Sequence, residues 1–250
     1  MRDWEKFSLP ADRLCPNTAN MHRASTLPVA TGRLIVIGDV HGCLSELQSL
    51  VRQIDPRPED RVILVGDLVN RGPDSAGVID FAIEHRLRSV MGNHELRLLQ
   101  ARKNPKKAEL KAYDADTMAQ LKKRHWRYIE AMPTTLYYPE WNVIVAHGGF
   151  LPGTPWWKQK VDVVSRIQVI TAKGKPAKRS DDPQGQPWGQ TWKGPELVIY
   201  GHTPRPDPEI DAYAIGIDTG CAYGNCLTAC ILPGRKIVQV PAQARVEYNI

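Results

Sequence analysis

The sequence predicts a mixed α/β fold built from strand–helix–strand units. Three observations carry that expectation. Short β-branched runs recur along the chain, amphipathic stretches separate the first of them, and each early run ends in glycine beside aspartate, asparagine or histidine. At 250 residues, with 42% hydrophobic and 24% charged residues, the chain can bury a core, and disorder or a collagen-like repeat is excluded. Lys+Arg 33 against Asp+Glu 27 leaves a net charge of +6. That suits a phosphate-rich substrate, and equally an ordinary basic enzyme.

Residues 1–32 are polar, carry Pro10, Pro16 and Pro28, and read as an N-terminal arm in which Met21 offers an alternative start. A single domain is expected over 33–250. Leu34–Ile37, Arg61–Val65, Asn142–Val145 and Leu197–Tyr200 read as buried strands. Leu44–Ile54 and Asp74–Arg86 space apolar residues by three and four, as helices do. The alternation predicts βαβ units and a mostly parallel sheet. From about 96 to 131 the pattern turns helical and rich in Lys and Arg. From about 153 to 194 it turns loop-rich, with Trp156, Trp157, Trp188 and Trp192 among Pro and Gly. Both stretches are expected to be insertions that cap the sheet. Strands return at Ala214–Asp218, Leu227–Leu232 and Lys236–Val240.

Five cysteines are too few and too odd a count for a disulfide framework. Cys43, Cys221, Cys226 and Cys230 lie in or beside apolar runs, which predicts reduced thiols, and the spacing of the last three fits no zinc pattern. The N-terminus shows no secretory or mitochondrial address, and no apolar run is long enough to cross a bilayer. A cytoplasmic protein without a membrane partner is expected.

The chemistry sits at the strand ends. Gly38-Asp39-Val40-His41-Gly42, Gly66-Asp67-Leu68-Val69-Asn70-Arg71-Gly72, Gly92-Asn93-His94-Glu95, Ala146-His147-Gly148-Gly149 and Gly201-His202-Thr203 each follow an apolar run. One such dipeptide is an ordinary turn. Five in register place ligand-type side chains along the edge where open α/β sheets bind ligands. Asp, Asn and His together suit a pair of divalent metals better than a structural zinc. Asp67, central in the order, is the natural bridging carboxylate for two ions about 3.5–4 Å apart.

These motifs resemble those of the calcineurin-like metallophosphoesterases. Gly66-Asp67-Leu68-Val69-x-Arg71-Gly72-Pro73-x-Ser75 and Ile217-Asp218-Thr219-Gly220-Cys221-x-Tyr223-Gly224-x-x-Leu227-Thr228-Ala229 are most similar to the branch of symmetrical diadenosine tetraphosphate hydrolases and ApaH-like phosphatases. The resemblance runs from about Leu34 to Leu232 and is weak through both insertions. It implies a two-sheet α/β/β/α sandwich with helical and loop-rich caps. It implies two divalent ions, manganese first, with cobalt, iron, magnesium or zinc also able to serve. Asp39 and His41 would bind one metal, Asp67 would bridge, and Asn93, His147 and His202 would complete the second. A metal-activated water would be the nucleophile. Arg71 would clamp phosphate through its planar fork, and His94 would be the general acid for the leaving oxygen.

Protein Ser/Thr phosphatases of the family carry Asp where this chain has Asn70. Asparagine can orient His94 through its carbonyl oxygen but brings no negative charge, so a weaker base is expected at His94. Within the insertions, Lys103, Lys106, Lys107 and Lys111 read first as a solvated helix face and second as a grip for extra phosphates. Ser165-Arg166-Ile167 resembles a stretch that supplies a second substrate arginine, which makes Arg166 a candidate phosphate contact. The tryptophans either stack a base or form a small core of their own.

The expected activity is hydrolysis of phosphoanhydride or phosphoester bonds in nucleotide-type polyphosphates, dinucleoside polyphosphates first. A protein Ser/Thr phosphatase comes second, then a polyphosphatase or an RNA cap hydrolase acting on capped RNA, because a basic cap suits any polyanion. A non-catalytic binding module comes last, since it would show an eroded ligand set and none of the ligands is missing.

Overall fold

The structure is a computed structural model that describes residues 22–24, 32–107 and 110–243. The chain opens with β1 (His22–Ala24), β2 (Leu34–Ile37), α1 (Leu44–Ile54), β3 (Arg61–Leu64), α2 (Ser75–Glu84), β4 (Arg88–Ser89) and α3 (Asn93–Lys103). It continues through α4 (Ala112–Gln120), α5 (Lys123–Glu130), β5 (Thr135–Tyr138), β6 (Val143–Ala146) and α6 (Val161–Arg166). Then follow β7 (Val169–Ile170), β8 (Pro176–Ala177), β9 (Gln186–Pro187), α7 (Trp188–Thr191), β10 (Leu197–Tyr200) and β11 (Glu209–Ile210). The chain closes with β12 (Ala214–Gly216), β13 (Cys226–Leu232) and β14 (Lys236–Pro241).

One sheet has the order β14-β13-β2-β3-β4 and the other β1-β5-β6-β10-β12-β11; a small third sheet is β8-β7-β9. The early βαβ units are parallel, as expected, with Ile35 opposite Val62 and Ile63 opposite Arg88. Both large sheets are nonetheless mixed. β13 runs antiparallel between β14 and β2, and β5 and β11 run antiparallel to their neighbours β6 and β12. β1, from the expected arm, pairs in parallel with β5 at the sheet edge; the remainder of residues 1–31 lies outside the described residues.

The period-2 alternation of each strand divides the core into layers. Leu34, Val36, Ile63 and Val65 point between the sheets, where they meet Val143, Val145, Leu197, Ile199, Ile215 and Ile217. Ile35, Ile37, Val62 and Leu64 point the other way, onto Leu47, Leu50 and Val51 of α1 and Val78, Ile79 and Ala82 of α2. On the outer face of the second sheet, Ile144, Val198, Tyr200 and Ala214 meet Phe150, Val164, Ile167, Trp156, Trp188 and Trp192. The loop-rich insertion is therefore the fourth layer of the sandwich.

That packing decides between the two expectations for the tryptophans. Trp156, Trp188 and Trp192 are 7%, 1% and 9% exposed, and Trp157 is 50% exposed. Three of the four are core, and Trp188 lies so close to Gly149 that a Cβ there would enter its ring. Cys43, Cys221 and Cys230 are free and buried, and Cys226 is free and half-buried. α2 begins one residue later than Asp74 because Asp74 is its cap: the carboxylate accepts the Gly77 N–H at 2.6 Å.

Candidate metal centre

The strand ends deliver their polar residues to one place. Asp39 and His41 follow β2; Asp67, Asn70 and Arg71 follow β3; Asn93 and His94 open α3 just after β4; His147 follows β6 and His202 follows β10. β2, β3 and β4 belong to one sheet, and β6 and β10 to the other. The centre thus lies at the carboxyl-terminal edge where the two sheets meet.

Asp67 is the hub. Its Oδ2 lies 3.5 Å from His41 Nε2, 3.4 Å from His147 Nε2 and 3.9 Å from His94 Nε2. Ligand-type atoms of His41, Asp67 and His94 fall within 4.8 Å of one another, and so do those of Asp67, His147 and His202. Two groups that could each hold an ion therefore share one carboxylate. Asn93 Oδ1 is 3.0 Å from His147 Nε2. Asp39 accepts the His202 N–H at 3.1–3.2 Å, packed on Gly201 so closely that a Cβ there would collide with Oδ1.

Three histidines have one ring nitrogen committed to a backbone carbonyl. His41 Nδ1 donates to Val69 O at 2.9 Å, His147 Nδ1 to Val65 O at 2.8 Å and His202 Nε2 to Arg166 O at 3.1 Å. Each bond fixes the tautomer and frees the other nitrogen, the usual support of a metal-ligating imidazole. Arg166 enters the centre through this carbonyl; the expectation concerned its guanidinium. Arg71 Nη1 donates to His41 Nε2 at 2.7 Å.

His41, Asp67, Asn70, Arg71 and His202 all lie in the left-handed region, with φ between 47° and 72°. Asp, Asn and His tolerate that region better than most residues, and such strain concentrates at functional sites.

The electrostatics fit divalent cations. Asp39, Asp67, Glu95 and Asp218 are buried around the histidines. Burial and the neighbouring Asp218 push Asp39 well above the usual carboxylate range. Burial likewise pushes Asp218 up to about 6. Burial resists charge on His147, but Asp67 overrides it and carries that imidazole up to about 10. Burial and nearby positive groups hold His41 and His202 down to about 3. With His41 and His202 neutral, the crowded carboxylates draw a proton onto His147 for want of other positive charge, and carboxylate, amide and imidazole donors suit hard-to-borderline cations.

Four residues of the site escaped sequence reasoning. Glu95, fully buried, accepts the N–H groups of Asp67, Leu68, Val69 and Gly92 at 2.8–3.3 Å and so shapes the loop that carries Asp67. Asp218 accepts the Gly220 N–H at 3.0 Å. Both sit inside quoted motifs, Glu95 three residues after Gly92 and Asp218 two before Gly220, and that membership was the available signal. Asp114 and Arg97 had none. Asp114, on α4 and fully buried, accepts Arg97 Nε and Nη2 at 2.8 Å and Asn70 Nδ2 at 2.9 Å.

This network corrects the expected role of the Asn70 carbonyl. Asn70 meets His94 Nδ1 through its amide nitrogen, at 2.8 Å. The same NH2 group must donate to Asp114, which fixes the amide orientation and leaves Asn70 Oδ1 buried without a partner. Arg97 Nη2 also donates to His94 Nδ1, at 3.2 Å. With two donors facing Nδ1, the His94 proton resides on Nε2, the nitrogen that faces Asp67, and this leaves His94 beside the ion-holding group without a lone pair to offer it. Burial pushes His94 well below the ordinary imidazole value; Asp67 opposes this, and His41, Arg71 and Arg97 reinforce it.

A paired-ligand centre at the meeting edge of two sheets defines a metal-dependent phosphoesterase. The chain belongs to the calcineurin-like phosphoesterase family, whose sequence model matches residues 32–206. It is 30% identical to the asymmetrical bis(5'-nucleosyl)-tetraphosphatase PrpE of Oceanobacillus iheyensis, over 84% of this chain and 93% of that one. The enzyme of the same name from Bacillus subtilis is also 30% identical, over 83% and 93%. A crystal structure provisionally assigned as a diadenosine tetraphosphatase superposes with a TM-score of 0.78 at 35% identity, covering 86% of this chain and 96% of that one. The two PrpE relatives are named for asymmetrical cleavage, whereas the motifs pointed first to the symmetrical hydrolases.

Proposed function

We propose that this phosphohydrolase cleaves phosphoanhydride bonds of dinucleoside polyphosphates, with diadenosine tetraphosphate as the first substrate to test. The observation that carries the reading is the environment of His94. Its Nδ1 faces an amide and a guanidinium where a carboxylate would favour an imidazolium. A neutral imidazole with its proton on Nε2 is a hydrogen-bond donor and a poor proton donor. That suffices for a phosphate leaving group, whose last pKa is about 6. It is a handicap when a basic serine alkoxide must leave. The names of the relatives support the same substrate class.

In this reading Asp39, His41, Asp67, Asn93, His147 and His202 hold two divalent ions, manganese first. When bound, the ions polarise the phosphoryl oxygens and lower the pKa of the attacking water. Arg71 draws its fork from His41 onto the phosphate, and His94 Nε2–H points at the leaving oxygen. Asn70 holds that imidazole in place, and the Arg166 side chain reaches a more distant phosphate. Among the described residues no helix is long and apolar enough to cross a membrane, and with its free cysteines we place the protein in the cytoplasm.

The test is a substrate panel on metal-loaded protein: diadenosine tetraphosphate, capped RNA, inorganic polyphosphate, a phosphoserine peptide and an aryl phosphate. Diadenosine tetraphosphate should give the highest kcat/KM. A preference for the phosphopeptide would replace this reading with a protein phosphatase.

A further inference from the structure

Three of the four insertion tryptophans are core and Trp157 is the exposed one, and other aromatic rings stand closer to the centre. Two tyrosines stand at the centre. Tyr223 ends the short turn Cys221–Tyr223 between β12 and β13, is 38% exposed, and has Arg71 Cζ 5.2 Å from its ring centroid. Gly220 and Gly224 bracket the turn with φ of 70° and 86°, a conformation glycine adopts freely. The reversal carries Tyr223 over the Arg71 loop. Tyr113, on α4 of the helical insertion, stacks on His94 with centroids 5.7 Å apart and planes 18° apart. Lys111 Nζ lies 5.8 Å from the Tyr113 centroid. His41 connects their partners, bonded to Arg71 and 4.7 Å from the His94 ring. Burial raises the Tyr223 phenol above its ordinary value, and the nearby Arg71 opposes it.

A bare phosphate needs Arg71 and the ions but no aromatic walls. A nucleotide carries a flat π-face a short reach from its phosphates, and a base stacks on an aromatic ring whatever its sequence. We propose that Tyr223 forms a nucleobase subsite beside the phosphate clamp, with Tyr113 and Lys111 bordering the centre on the His94 side. The subsite selects nucleotide-bearing polyphosphates over bare polyphosphate. It rests on the phosphohydrolase reading above.

The experiment compares KM for diadenosine tetraphosphate with KM for inorganic tetraphosphate in wild type, Tyr223→Leu and Tyr223→Phe. Loss of one base stack should raise that ratio on the order of tenfold in Tyr223→Leu, whereas Tyr223→Phe, which keeps the ring, should move it by less than about twofold. Calorimetric binding of ADP relative to inorganic phosphate should weaken in the same proportion, a readout independent of turnover. Tyr113→Leu perturbs the His94 side and should shift both ratios in the same direction. Unchanged ratios in Tyr223→Leu overturn the subsite while both tetraphosphates are still hydrolysed. If wild type hydrolyses an aryl phosphate and neither tetraphosphate, the polyphosphate reading fails and the subsite fails with it.

Discussion

Replacing Asn70 with Asp tests the network around His94 directly, because the change is isosteric and alters only charge and donors. In the native protein Asn70 Nδ2 donates to Asp114 Oδ1 at 2.9 Å. In the variant two carboxylates face each other at that distance, and among the described residues Arg97 is the one cation bonded to Asp114. Two full charges 2.9 Å apart repel by about 6 kcal/mol at an effective dielectric constant near 20. Taking up a proton is cheaper: holding a carboxyl of pKa about 3.9 protonated at pH 7 costs about 4 kcal/mol. Protonation therefore wins and sets the ceiling. The proton lands between the carboxyls or on His94 Nδ1, and the folded state carries one proton more than the unfolded chain. A group whose folded pKa is raised costs more stability as pH climbs above its unfolded value. Asn70→Asp should lose up to about 4 kcal/mol at pH 7 but only about 1.5 kcal/mol at pH 5. Pairing it with Asp114→Asn restores one carboxylate and one amide, so the double variant should recover at least about 2 kcal/mol over additivity. Denaturant unfolding of the four proteins at both pH values measures this. Stability of Asn70→Asp within about 0.5 kcal/mol of wild type at pH 7, or simple additivity, would refute the network. The double variant also presents a carboxylate to His94 Nδ1, so its kcat/KM for a phosphoserine peptide should rise relative to diadenosine tetraphosphate.

Asp67→Asn should abolish turnover of every substrate and lower bound metal, because Asp67 is common to both candidate groups; metal analysis after desalting checks it, and full metal occupancy with turnover would sink the paired-ion reading. Arg71→Ala should weaken inhibition by inorganic phosphate while leaving metal content intact, and Arg71→Lys should recover little because it lacks the fork; identical phosphate inhibition would remove the clamp. Arg124, bonded at 2.6 Å, and His125 hold Asp80 down to about 2. A depressed carboxylate contributes stability above its unfolded value and loses it on acidification. The thermal midpoint of wild type should therefore fall between about pH 4 and pH 2, and Asp80→Asn should flatten that part of the profile.

Local pattern made much of this protein legible from its sequence. The strands β2, β3, β6 and β10 and the helix Leu44–Ile54 were readable, to within a residue at their ends, because β-branched runs and three-to-four spacing report burial within a few residues. That these polar residues would gather at one place was readable for a related reason: each follows a strand beside a glycine, and one sheet edge gathers what its strands deliver. What remained illegible depends on contacts between distant segments. Asn70 meets Asp114 across 44 residues, and no periodicity links them. The direction in which the Asn70 amide points follows from that carboxylate alone. The tryptophans show the same limit, since their composition suited a base platform and a core equally. Only the packing of Trp156, Trp188 and Trp192 against the outer face of the second sheet decided it. The same packing left Tyr113 and Tyr223 as the rings beside the centre. Sequence by itself determined which atoms could bind metal and phosphate, because that is a property of residue type. Tertiary structure decided tautomers, amide orientation and exposed rings, because those depend on which neighbours close packing brings into hydrogen-bonding distance.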